Sequence, residues 1–310
     1  MSQKHETKNI KPLTIGISAR ALFDLEKENE IFEQEGVEAY RAYQREQEKE
    51  LIEPGTAFHL ISDLLSLNEI SGDEEERLVD VVIMSRNSPD LSLRIFNSIE
   101  HYSLDVKQGV FSSGMPLHPY FASFGVDLFL SRSEADVIAA IANSIAAAVL
   151  YTPPEGFDPD DKQIRIALDG DAVIFSDEAE KIYKTEGLEA FIRHERENAK
   201  KPLPKGPFAK FLMTLSYLQS RNEIGPERLC LGLVTARSNA THERVIRTLR
   251  EWGVHVDQAF FMGGMSKQKV LTSFKPHIFF DDQDIHGIPA SEVAPSGKVP
   301  NHFSEYSLDL

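Results

Sequence analysis

Two hydrophobic periods alternate along this chain. Apolar runs of strand type lie within residues 12–24 and at Val79–Met84, Gly109–Phe111, Val126–Leu130 and Ile145–Tyr151. They return at Ile164–Leu168, Leu229–Val234 and His277–Phe280. Between them the apolar positions take helical spacing. Leu25–Glu53 is charged, with a stripe of Ile31, Phe32, Val37, Tyr40 and Tyr43; Pro54-Gly55 stops it, and Ala57–Leu67 and Leu91–Tyr102 follow. Ser133-Glu134-Ala135-Asp136 starts another helix, and one more runs to Trp252. Ile70–Glu76 reads as an acidic loop and Pro153–Lys162 as a Pro/Asp-rich linker. Strands alternating with helices predict an α/β fold on a parallel sheet.

The pattern starts over at Ile164. A shift of 151 residues lays Glu35-Gly36-Val37-Glu38-Ala39-Tyr40 on Glu186-Gly187-Leu188-Glu189-Ala190-Phe191, Arg45-Glu46 on Arg196-Glu197, and Gly55 on Gly206. A shift of 150 lays Val106–Phe111 on Val256–Phe261 and Gly114-Met115 on Gly264-Met265. Any two strand–helix units match at apolar positions. Matches at Gly, Gln, Glu and Arg need another cause, and internal duplication supplies one. The expected architecture is two Rossmann-like units, 12–152 and 163–310, with residues 181–221 inserted as a helical cap over the second.

The copies differ where chemistry sits. Asp169 and Asp171 fall on Ser18 and Arg20, Thr235 on Ser85, Lys267 on Leu117, and Asp281-Asp282 on Ser131-Arg132. Asp169-Gly170-Asp171 closes a strand, and open α/β sheets place ligands at the carboxyl ends of strands. One acid can attack while the other carries protons. Leu229–Val234 ends at Thr235-Ala236-Arg237, where a hydroxyl and backbone N–H groups suit a phosphoryl oxygen. The glycine-flexed loop before Lys267 presents an ammonium. Asp281-Asp282 ends a further strand, and such hard oxygen ligands suit Mg²⁺. Each part alone also reads as a surface turn, a cap or a solvated lysine. Arriving in this order, each at a strand end or between strands, they point to metal-assisted phosphoryl transfer.

Composition narrows the partners. A formal charge of −16 over 310 residues leaves no broad basic field for nucleic acid. A small phosphorylated substrate remains allowed, because local cations and a metal decide such a site. Cys230 is the single cysteine and sits in an apolar run, so it reads as buried filler, with no intramolecular disulfide. Met1–Lys11 is polar and lacks a signal peptide's apolar core, and Val137–Tyr151 is too short to span a bilayer. A cytoplasmic protein without a membrane partner is expected. Oligomeric state stays open, a homo-oligomer included.

The stretches Leu168–Glu180, Val234–Ser238 and Pro276–Gln283 resemble the haloacid dehalogenase superfamily of Mg²⁺-dependent phosphohydrolases. Ser18–Phe32, Val82–Asp90 and the tail Pro295–Pro300 narrow the resemblance to the cytosolic type I 5′-nucleotidase family, over nearly the whole chain. The resemblance implies a haloacid dehalogenase-like fold and hydrolysis of nucleoside 5′-monophosphates. It makes Asp169 the nucleophile that forms an aspartyl-phosphate, and Asp171 the acid and then base. Mg²⁺ would be held by Asp169, the backbone carbonyl of Asp171 and the Asp281-Asp282 pair, with Asp282 where the superfamily's metal-binding acid usually falls. Thr235 and Lys267 would clamp the phosphoryl group, with Ala236 and Arg237 as further substrate contacts.

Some readings stay open. Arg193, His194, Arg196, Lys200 and Lys201 make the most basic stretch, either a lid over the nucleotide or a solvated helix face. Phe191 and Phe208 are candidates to stack on a base or to fill the core. Ser18, Arg20, Ser85, Arg86 and Asn87 of the first copy would either bind a nucleotide without hydrolysing it or merely support a packing partner. A phosphatase for another metabolite, such as a sugar phosphate, is the alternative enzyme. A non-catalytic nucleotide-binding regulatory module is the other alternative, and the intact acid, hydroxyl and lysine set argues against it.

Overall fold

The computed structural model describes residues 11–70, 77–159, 163–221 and 223–301. Most of the expected acidic loop, the end of the linker and the extreme N-terminus lie outside the described residues. Among those described, ten strands form one sheet: β1 (Leu13–Ile17), β2 (Val79–Ser85), β3 (Gln108–Phe111), β4 (Leu128–Ser131), β5 (Ala146–Leu150), β6 (Ile164–Leu168), β7 (Leu229–Thr235), β8 (Gln258–Phe261), β9 (Ile278–Asp281) and β10 (Ser296–Lys298). Their order is β3-β2-β1-β4-β5-β10-β9-β6-β7-β8. Every neighbouring pair is parallel except β5 with β10. Read outward from that antiparallel join, both halves run through equivalent strands. The two expected units are therefore halves of one continuous sheet.

Parallel strands are covered on both faces, which is why they read as near-continuous apolar runs. One core runs under both halves and contains Ile15, Ile83 and Leu64 of the first with Ile166, Leu212 and Phe280 of the second. The opposite face carries two separate clusters, around Phe121 and Phe129 and around Phe274 and Phe279. β10 has no alternation to announce it. A Cβ on Gly297 would lie 3.0 Å from Ala148 and 3.1 Å from Leu150, so bare backbone lets this strand slot against β5. The tail Pro295–Pro300, whose role sequence alone leaves unread, thus closes the sheet.

Side-chain bonds repeat with the strands. Arg94 Nε donates to the Glu50 carbonyl at 2.9 Å, and Arg244 Nε to the Lys201 carbonyl at 3.0 Å. Ser98 Oγ accepts from the Ile52 N–H at 3.1 Å, and Thr248 Oγ1 from the Leu203 N–H at 2.9 Å. The halves also clasp each other: Lys210 reaches Asp127 at 3.0 Å, and His277 reaches Asp63 at 3.0 Å.

The expected cap over 181–221 divides into two different things. The helix Glu178–Glu197 kinks at Gly187, whose φ of +84° favours glycine. The first half has the same excursion, two helices meeting at Gly36 with φ +86°. Ala209–Gln219, by contrast, buries Phe211, Leu212, Leu215 and Leu218 in the main core and belongs to the layer under the sheet. No helix among the described residues is long and apolar enough to cross a membrane.

Candidate active site

The site begins where β6 ends. The Asp169 N–H donates to the Phe280 carbonyl at 2.8 Å, holding the residue just past the strand. Gly170–Ile174 then makes a wide turn with Asp171 extended (φ −71°, ψ 139°) and Ala172 left-handed (φ 60°). The first half covers this stretch with the short helix Ala19–Leu22. Each turn is locked by a glycine N–H, Gly55 to Leu22 and Gly206 to Ile174, so the second turn carries one more residue than the first. Only glycine fits at position 206, because a Cβ there would lie 2.3 Å from the Phe175 carbonyl oxygen. A Cβ on Gly170 would come within 3.2 Å of Thr235 Oγ1, which places the β7 hydroxyl beside the acid turn. Thr235 is buried, and its Oγ1 accepts from the Arg237 N–H at 3.3 Å.

Asp169, Asp281 and Asp282 converge. Each offers a carboxylate oxygen within 4.8 Å of the others, and all three are buried. Lys267, which opens the helix Gln268–Phe274, brings its buried ammonium to 2.8 Å from Asp169 and 2.7 Å from Asp281. Burial works against that ammonium, but the two carboxylates outweigh it and hold its pKa above the usual lysine value. The other Asp281 oxygen accepts from the Gln283 N–H at 2.9 Å. Neither oxygen of Asp282 has a hydrogen-bond partner among the described residues. Burial, with Asp169 and then Asp281 as neighbours, pushes Asp282 up to about 9. Burial raises Asp169 to about 7 against the pull of Lys267. Three carboxylates against one ammonium make a buried anionic cluster short of positive charge, and its hard oxygen donors fit a divalent cation.

Asp171 lies apart from this cluster. Its two oxygens take a bidentate pair from Arg237, at 2.7 and 2.8 Å. The remaining Arg237 nitrogen engages Glu195 of the helix Glu178–Glu197, and Arg244 meets the same carboxylate at 2.7 Å. One expectation changes accordingly: the Arg237 guanidinium is committed to protein carboxylates rather than free for substrate. The Asp171 carboxylate lies outside the acid cluster, and what is expected of Asp171 toward a metal is its backbone carbonyl. Ala236 is exposed beside them and has only its backbone to offer. Phe191 lies under Arg237, 5.4 Å from ring centre to guanidinium carbon, whereas Phe208 is core, packed on Phe280. Sequence reasoning missed Glu195, an acid inside a basic stretch. The one signal for it was alignment with Gln44, which also receives a bond from the Arg that matches Arg244, Arg94, at 3.1 Å.

The model of the family described as 5′-nucleotidase matches residues 4–306. The chain belongs to the 5′-nucleotidase family. Human cytosolic 5′-nucleotidase 1B is 36% identical over 282 residues, which cover 88% of this chain and 46% of that protein. The chain thus spans about half the length of that curated relative. No solved structure matches it significantly. Asp169, Asp171, Thr235, Lys267 and Asp282 of this 5′-nucleotidase family member all fall inside the matched span.

Proposed function

We propose that this chain hydrolyses nucleoside 5′-monophosphates with Mg²⁺ bound among Asp169, Asp281 and Asp282. The observation that carries the reading is Asp282, a buried carboxylate with both oxygens unpartnered beside two further acids. Asp282 is the direct ligand on this account, since Lys267 and the Gln283 N–H already occupy Asp281. When bound, Mg²⁺ would act as a Lewis acid on a phosphoryl oxygen and relieve the repulsion among the acids.

Asp169 then attacks phosphorus and the bond to the 5′ oxygen breaks, leaving an aspartyl-phosphate. Asp171 gives that oxygen a proton and later takes one from water, whose oxygen bonds to phosphorus as the bond to Asp169 breaks, releasing phosphate and the free carboxylate. Thr235 and Lys267 hold the phosphoryl oxygens. Arg237 positions Asp171 and ties it to Glu195, so the helix Glu178–Glu197 acts as a cap that shields the reaction from water. The matching strand orders and repeated side-chain bonds support descent from a duplicated unit, of which only the second copy kept the acids. The relative's printed name supports a nucleotide over a sugar phosphate, and a cytoplasmic location.

Phosphate release from a panel of nucleoside monophosphates and sugar phosphates, with Mg²⁺ and with chelator, tests the reading. Mg²⁺-dependent release from the nucleotides is expected. Preference for sugar phosphates, or release that survives chelation, would overturn it.

A further inference from the structure

A cavity of about 550 Å³ opens at the carboxyl ends of β1, β2 and β4, in the half that lacks the acids. Its floor includes Ser18, Arg20, Ser85, Arg86, Ser131 and Arg132. Strand register fixes what these positions correspond to. Ile17 pairs with Leu130 as Leu168 pairs with Phe280, so Ser18 and Ser131 stand where Asp169 and Asp281 stand in the other half. Ser85 ends β2 opposite Phe111 as Thr235 ends β7 opposite Phe261. Next in line, Arg132 takes the place of Asp282, while Arg20 aligns with Asp171 in sequence but sits on the helix Ala19–Leu22 where Asp171 is extended. Two hydroxyls and two guanidiniums thus stand at the positions of the four acids, Ser85 keeps the hydroxyl of Thr235, and Leu117 stands for Lys267.

Such a floor reverses the electrostatic requirement. Four carboxylates and a lysine need an added cation before a phosphate dianion can enter, whereas guanidiniums and hydroxyls present donors directly. Ser85 and Ser131 Oγ each accept a backbone N–H, at 3.1 and 3.0 Å, so their O–H groups remain as donors. Ser18 Oγ, Arg20 Nε and Ser88 Oγ are buried without a hydrogen-bond partner among the described residues. Acids are present and paired: Glu26 with Arg20 and Arg132, Asp136 with Arg86, and Glu28 with Arg94, so a phosphate on this floor shares the first two guanidiniums with Glu26. Above the floor the wall turns apolar. Leu25, Val37, Phe32 and Tyr40 line it, with Phe32 half-exposed and edge-on to Tyr40 at 5.9 Å. The volume falls in the range of small-molecule sites, about 300–1,000 Å³.

We propose that this cavity is a second, metal-independent nucleotide site, the phosphate on the Ser and Arg floor and the base against Phe32 and Tyr40. With serine at the nucleophile position and arginine at the proton-carrying one, the bound phosphate ester stays intact. The assignment does not depend on the catalytic reading of the other half.

Calorimetric titration of the full-length protein with a nucleoside 5′-methylenephosphonate, in chelator and in Mg²⁺, tests it. One site per chain in chelator and two in Mg²⁺ are expected. Arg132→Gln and, separately, Ser18→Asp weaken the chelator-resistant site at least tenfold, while Mg²⁺-dependent binding stays and reports that the chain is folded. Absence of binding in chelator at millimolar ligand would overturn the proposal. So would chelator-resistant binding that both variants leave unchanged, or inorganic phosphate binding as tightly as the phosphonate. Failure of the catalytic reading shows differently, as loss of the Mg²⁺-dependent site alone.

Discussion

Arg237 grips both carboxylate oxygens of Asp171, at 2.7 and 2.8 Å, while its remaining nitrogen engages Glu195 on the neighbouring helix. One side chain thus fixes the orientation of the proposed proton carrier and couples it to the proposed cap. A planar five-donor fork can do this; an ammonium is a point charge and cannot.

Arg237→Lys is therefore expected to lower kcat by roughly 10–100-fold with a much smaller change in KM, since what is lost is orientation. Steady-state kinetics decide it. An unchanged kcat, or a loss confined to KM, would contradict the positioning role.

Glu195 sits between two guanidiniums and is fully buried. Replacing it with Gln takes the carboxylate from buried Arg244 and leaves Arg237 with Asp171 alone, at a cost of about 3–5 kcal/mol. Urea unfolding measures this directly. A cost well under about 1 kcal/mol would show that the network contributes little.

The carboxylate cluster makes a pH prediction with a definite sign. Asp282 is pushed up to about 9 and Asp169 to about 7, both from 3.8. An acid raised on folding adds stability that is complete below its ordinary value and is lost as pH climbs through the raised one. The metal-free protein should therefore melt at progressively lower temperature from about pH 5 to about pH 9. A cation bound to the ionised acids offsets that loss, so the gain in Tm from Mg²⁺ should grow across the same window. Scanning calorimetry in buffers of low ionisation enthalpy checks it; an equal gain at both ends would contradict the assignment.

Gly206→Ala tests the frame of the turn Gly170–Ile174. A Cβ at 2.3 Å from the Phe175 carbonyl oxygen forces backbone to move, at a cost of at least about 2 kcal/mol. Denaturant midpoints should fall accordingly, and a neutral substitution would mean that the turn is not locked by this contact.

The strands and the polar residues at the ends of three of them were legible in sequence because each rests on local pattern. Apolar runs buried on both faces announce β6, β7 and β9, and polar residues at their ends stand out against them. What stayed hidden depends on partners far away in the chain. Ser296–Lys298 has no hydrophobic signature; its place follows from the space that Gly297 leaves against Ala148 and Leu150. Glu195 looks like one acid among cations until Arg237 and Arg244 fold against it. Ala209–Gln219 read as part of a lid because it follows the cap helix directly, yet its apolar faces take it into the core. The gap between halves of a sheet and separate domains could not be read either, since it rests on the single pairing of β5 with β10.

The central claim is that Asp169 becomes phosphorylated beside a cation held by Asp282. Acid-quenched single turnovers with a nucleoside monophosphate labelled in its phosphate test it most directly. Label retained on a peptide containing Asp169 in Mg²⁺, and absent in chelator and in Asp169→Asn, is the predicted result. Full turnover with no labelled protein at any quench time, or label on another residue, would contradict the account.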